Sequence, residues 1–113
     1  MTTFHFMVFS NPVEGREDDF NTWYDKEHLD DLLAIDGFKA AQRYRLAALG
    51  PGQEAPVYRY AAVWEAEADD AAAAQEKLME ALRSGRVRGS DALAPDALPA
   101  WFEPIGERRL APS

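Results

Sequence analysis

The 113-residue chain is the size of one domain and carries a formal charge of −8, from 12 Lys+Arg against 20 Asp+Glu. That balance repels a phosphate backbone, and the short clusters Arg83, Arg86, Arg88 and Arg108, Arg109 form no basic stripe to offset it, so nucleic acid is set aside as a partner. The absence of cysteine excludes disulfides and thiolate chemistry, and no apolar run approaches the length of a membrane span.

The start, Met1-Thr2-Thr3-Phe4-His5-Phe6, has no basic region and no small-residue cleavage site. It reads as a strand, not a signal peptide, and a cytoplasmic location is expected. Thr3 to Ser10 is apolar at nearly every position, as in a strand covered on both faces, and Asn11-Pro12 stops it. Arg16 to Leu33 predicts a helix with Glu17, Asp18 and Asp19 in its first turn, where the dipole favours negative charge. Gly37 suits the left-handed position that ends it. Lys39 to Leu49 and Val57 to Glu65 predict two strands of a hairpin, parted by Gly50-Pro51-Gly52. Asp69-Asp70 caps a second helix to about Ser84, with Leu78, Met79 and Leu82 as its buried stripe and Ala71, Ala74 and Gln75 behind them. Arg86 to Leu98 is a loop. Ala100 to Arg108 predicts a last strand, and Pro104 within it demands an edge or a bulge.

The order β-α-β-β-α-β predicts a single α+β domain over residues 1–113 with the ferredoxin-like arrangement: a four-stranded antiparallel sheet and two helices on one face. The first strand is apolar on both sides, Phe4, Phe6 and Val8 on one and His5, Met7 and Phe9 on the other. Helices cover one face. A second copy's sheet is the simplest cover for the other, so a homodimer is expected.

In the first helix Phe20, Tyr24, His28 and Leu32 are spaced by four and form one ridge toward the sheet. His28 thus lies in the apolar arc, where a pocket between helix and sheet would form, whereas Trp23 falls on another arc with Glu27, Asp30 and Asp31. An imidazole titrates near neutrality and suits general acid/base work. Tyr24, one turn away, could orient a substrate or bond an oxyanion, and Asp25 could fix the histidine tautomer. Phe20, Trp23 and Leu32 are expected as substrate contacts; if the odd positions of the first strand face the helices, Met7 and Phe9 line the same cavity and His5 joins His28 there. No HxxxH or HExxH spacing marks a metal site, and no Gly-rich loop follows a strand as a phosphate cradle.

Phe20-Asn21-Thr22-Trp23-Tyr24-Asp25-Lys26-Glu27-His28-Leu29 resembles the EthD-like branch of the dimeric α+β barrel superfamily, whose first helix shows an F-x-x-W/Y-Y-x-x-x-H-L/P pattern. Ile35-Asp36-Gly37-Phe38 matches the turn that follows there, and Gln42-Arg43-Tyr44 resembles the next strand. The resemblance covers the first half of the chain, and beyond it only the element order agrees. Proline often follows His-Leu in that branch. Asp30 stands here, which predicts a helix running on past His28. The resemblance implies a homodimer with a hydrophobic pocket in each subunit. It also implies cyclase, isomerase or quinone-forming monooxygenase chemistry, in several relatives without metal or organic cofactor and through a pocket histidine. The combined expectation is a cofactor-free lyase, cyclase or isomerase acting on a small hydrophobic, aromatic or polyketide-like compound. His28 is its acid/base, with Tyr24 and His5 assisting. A cofactor-free monooxygenase and a non-catalytic ligand carrier are the alternatives.

Overall fold

The computed structural model describes residues 1–112. Strand β1 (Thr2–Ser10) leads into a first helix built in three segments: α1 (Glu17–Trp23), a π-helical turn (Tyr24–His28) and α2 (Leu29–Leu33). Strands β2 (Phe38–Arg45) and β3 (Tyr60–Ala68), helix α3 (Ala71–Arg83) and strand β4 (Leu98–Phe102) follow. The sheet order is β2-β3-β1-β4, with each neighbouring pair antiparallel. This is the expected βαββαβ ferredoxin-like topology. As Asp30 in place of proline foretold, the first helix runs on past His28, to Leu33.

Strand β1 is central, paired to β3 over its whole length and to β4 over His5–Phe9, which accounts for its dense apolar sequence. Its parity decides which residues can meet the helices. Phe4, Phe6 and Ser10 are buried beneath them, and Phe6 packs its ring 5.9 Å from Trp64 and 4.6 Å from Trp101. His5, Met7 and Phe9 alternate to the opposite face. Placing these three in a pocket beside His28 is therefore corrected: His5 stands next to Glu65 across the strand pair, 4.0 Å away, and the Phe9 ring lies 6.2 Å from Tyr58. Along that outer face Met7 and Val63 are half-buried, while Tyr44, Leu98 and Phe102 remain about half exposed.

The strand ends move for one reason, the reach of their partners. β3 begins at Tyr60, not Val57, because β1 ends at Ser10, the partner of Tyr60. β2 stops at Arg45, not Leu49. One further bond, Leu46 N–H to Arg59 O at 2.8 Å, closes the hairpin. β4 is an edge strand that ends at Phe102, short of Pro104, because β1 offers it only five residues. In α3, capped by Asp70 through the Ala73 N–H at 2.7 Å, the buried stripe is Ala74, Leu78 and Ala81; Met79 and Leu82 are exposed at its margin.

Gly37 turns the first helix into β2 at φ +93°, and its carbonyl accepts the Glu67 N–H at 2.8 Å. A Cβ there would stand 2.6 Å from the Glu67 carbonyl oxygen, which is backbone and cannot swing aside. Gly37→Ala should cost about 2 kcal/mol or more, read as a lowered urea midpoint with unchanged slope.

Candidate functional site

In an α-helix, residues five apart point about 140° away from each other. The turn at Tyr24–His28 is wider, with the Leu29 N–H donating to the Tyr24 carbonyl five residues back. The extra residue brings position 23 over position 28. Trp23 is accordingly buried, and its indole stacks on the His28 imidazole at 4.4 Å and 25°. The arc that placed Trp23 among Glu27, Asp30 and Asp31 assumed uninterrupted α-helical spacing, which the π turn breaks.

Three aromatic rings surround the imidazole. Trp23 covers one face, Tyr24 meets it edge-on at 5.0 Å, and Trp64 does so at 5.6 Å. Trp64 also ties strand to helix, its indole N–H donating to the Leu29 carbonyl at 3.3 Å. Burial among these rings pushes the His28 pKa down to about 4, with the Asp31 carboxylate opposing the shift. At neutral pH the ring is neutral. Its Nδ1 is buried without a hydrogen-bond partner, so packing, not a bond at that nitrogen, holds the ring. The ring is thus free to present either a lone pair or an N–H to a ligand.

His28 forms part of the wall of a cavity of about 330 Å³ between sheet and helices. Phe6, Val8, Leu32, Leu78, Leu93 and Trp101 supply most of its apolar lining. Among the described residues His28 is the one titratable group in that wall. A larger recess of about 560 Å³ lies between α2 and α3, but it is edged by charged side chains, among them Lys77 and Asp36, which pair at 2.8 Å.

The connection from α3 to β4 closes the cavity through Val87, Leu93 and Ala97. Arg88 fastens it with bonds of 2.9 Å from Nε and 2.7 Å from Nη2 to the Asp31 carboxylate, and its backbone N–H also reaches Asp31 at 2.9 Å. Trp23 donates its indole N–H to the Arg88 carbonyl at 3.1 Å. Farther along, Val13 N–H to Ala92 O and Ala94 N–H to Asn11 O tie the same segment to the loop after β1. The Arg88 bonds hold the Asp31 carboxyl below its ordinary value.

The structure brings His28 and Leu32 into the cavity wall and leaves the other named residues elsewhere. Phe20 is fully buried in the core. Trp23 backs His28 from behind. Tyr24 is buried beneath the imidazole and outside the wall, where burial pushes its phenol up to about 12 against the opposing influences of Ser10 and Arg43. The role of substrate orientation or oxyanion binding foreseen for Tyr24 therefore lacks a route to the cavity. Asp25 bonds Arg43 at 2.9 Å instead of fixing the histidine tautomer, and the Arg43 guanidinium sits 4.5 Å over the Tyr24 ring. Sequence reasoning missed Arg88, whose bonds span 57 residues and leave no local signal, and Gln75, read as part of a helix stripe.

No protein-family model matches the chain, and no curated protein matches it in sequence. Solved structures do. A candidate monooxygenase from Shewanella loihica superposes with a TM-score of 0.66 at 11% identity, over 94% of this chain and 97% of that one. A DABB family protein with a ferredoxin-like fold from Mesorhizobium loti gives 0.60 at 16%, over 94% and 100%. An EthD family protein from Bacillus halodurans gives 0.58 at 14%, over 93% and 100%. The chain shares the ferredoxin-like fold of these structures. The shared fold sets where a cavity can lie and leaves its chemistry to the side chains. Among the described residues, no helix is long and apolar enough to cross a membrane.

The His28 shift makes stability depend on pH with a definite sign. Between about 4 and the ordinary 6.5, the unfolded chain binds a proton that the folded chain refuses. Stability is full above pH 6.5 and falls as the pH drops toward 4, by about 3 kcal/mol in all. Asp31 and Asp36, held low by bonds from Arg88 and Lys77, add their losses only below the ordinary 3.8. Urea midpoints measured from pH 7 to pH 4.5 should fall steeply for the wild type and stay flatter for His28→Phe.

Proposed function

We propose that this protein is a cofactor-independent enzyme that moves a proton on a small apolar compound, in a reaction of the lyase, cyclase or isomerase type. One observation carries the reading: a neutral imidazole, its Nδ1 unpartnered and its ring caged by aromatic side chains, is the sole titratable group in the wall of a largely apolar cavity among the described residues. Such a pocket accepts an uncharged substrate, which displaces water from the imidazole as it fills the apolar space. His28 takes the proton. Burial opposes the resulting imidazolium, and the Asp31 carboxylate and the Trp23 face at 4.4 Å offset that in part, so the proton is held briefly and readily given back. His28→Ala should lower kcat/KM about 100- to 10,000-fold on an authentic substrate, and an unchanged rate would sink the assignment. Because His28 titrates near 4, the wild-type kcat/KM should be level from about pH 6 upward and decline only as the pH approaches 4. Mass spectrometry of ligand retained by the purified protein is the direct route to that substrate.

Likeness to a candidate monooxygenase favours a second reading, oxygenation without a cofactor on the same scaffold. Oxygen consumption during turnover separates the two.

We further propose a homodimer joined through the outer sheet face. Met7, Phe9 and Val63 are half-buried there, and Tyr44, Leu98 and Phe102 present apolar surface to water in the single chain. Sedimentation at micromolar concentration should give the mass of two chains, and Val63→Glu should shift it to one; a wild-type monomer would refute the pairing.

A further inference from the structure

We propose that Gln75, on α3, holds the substrate's carbonyl oxygen, so that the cavity takes an apolar compound bearing both a carbonyl and an acidic C–H or O–H. This deepens, and rests on, the proton-transfer reading of His28. Gln75 and His28 share the cavity wall, and the other side chains there are hydrocarbon, thioether or the indole of Trp101. An indole N–H can only donate, so the bond of 2.7 Å between Trp101 and Gln75 must end on the amide oxygen. That contact sets the amide's orientation. The oxygen is committed to Trp101, and the NH₂ group remains as a donor. Trp101 is itself held in place, 4.6 Å from the Phe6 ring and 6.0 Å from Phe38, so the amide it orients rests on the sheet.

The cavity thus offers an amide donor, at the exposed margin of α3, and one imidazole deeper in the wall. A pure hydrocarbon would leave the imidazole without a partner and make no use of the Gln75 N–H, and a charged ligand would lose its hydration to an apolar lining. A carbonyl compound with an acidic hydrogen satisfies both. In the step, the substrate C–H or O–H bond breaks and an N–H bond forms on His28. The released electron pair moves onto the carbonyl oxygen, toward which the Gln75 N–H donates. Return of the proton to another substrate atom restores the neutral imidazole, and neither oxidant nor reductant is consumed.

The test is calorimetric binding of three matched compounds: 6-acetyl-2-naphthol, 2-naphthol, which lacks the carbonyl, and 2-acetylnaphthalene, which lacks the hydroxyl. The wild type should bind 6-acetyl-2-naphthol about 10-fold more tightly than 2-naphthol. Gln75→Leu should erase that advantage while leaving 2-naphthol affinity unchanged. Gln75→Glu, which keeps an acceptor for Trp101 and removes the donor, should do the same, so a folding defect in one variant does not hide the result. His28→Phe should instead erase the preference for 6-acetyl-2-naphthol over 2-acetylnaphthalene. A carbonyl advantage that survives both Gln75 variants overturns the role of Gln75 and leaves that of His28 standing. A hydroxyl preference that survives His28→Phe, with the carbonyl advantage still lost in the Gln75 variants, overturns the proton-transfer reading alone. Failure of the wild type to bind any of the three overturns both.

Discussion

One added residue in the first helix sets the site. The π turn at Tyr24–His28 rotates everything before it relative to everything after, and so lays the Trp23 indole on the His28 imidazole. In a continuous α-helix the same two side chains would diverge, and Trp23 would reach solvent on the polar side. The turn thus supplies the stacked face that desolvates the imidazole, and its consequences extend further. The buried Trp23 points its N–H at the Arg88 carbonyl, which helps set the segment that closes the cavity. A widened turn forgoes the tighter α-helical bonding pattern. The aromatic packing of Phe20, Trp23, Tyr24 and Trp64, with ring centroids 5.0 to 6.5 Å apart, offsets that loss.

The imidazole and its cover are coupled through Asp31. That carboxylate receives the bidentate grip of Arg88 and also lies close enough to His28 to favour the charged ring. The guanidinium partly neutralises the carboxylate while fastening the segment. The fastening therefore also limits how far Asp31 can raise the imidazole against burial, and burial prevails, with His28 near 4. A surface ion pair would contribute little here. The Asp31 side chain is only 11% exposed, but the Arg88 side chain is 53% exposed, so water screens the pair in part and the three bonds to Asp31 serve chiefly to position the segment.

Much of this was legible in the sequence, and the failures share a cause. The ridge Phe20–Tyr24–His28–Leu32 faces inward as its spacing demands, and Gly37 is left-handed as its place after the helix requires. Asp70 caps as expected, and the element order yields the sheet order. These depend on neighbours within a turn or two, or on topology alone. The parity of β1 was not legible, because both of its faces are apolar and alternation carries no sign in such a strand. Only the contacts of Phe6 with Trp64 and Trp101, made across the sheet, decide that His5 faces away from His28. Strand ends failed likewise, being set by where partners run out. Trp23 was misplaced because a π turn has no sequence signature at this length, and Arg88 because its partner lies 57 residues away.

The state of His28 explains why the cavity around it is otherwise so plain. A buried imidazole bonded to a carboxylate would be charged, oriented and committed to one tautomer. Here Nδ1 meets nothing, and the ring is held by aromatic packing, stacked on Trp23 and edge-on to Tyr24 and Trp64. Stacking fixes the plane of the ring without choosing which nitrogen bears the proton. The ligand makes that choice: a donor facing the ring draws out the lone pair, an acceptor draws out the N–H. A second titratable group in the wall would have fixed the answer in advance. An apolar lining leaves a single imidazole able to accept a proton and to give it back at another atom, the property that proton transfer without a cofactor demands.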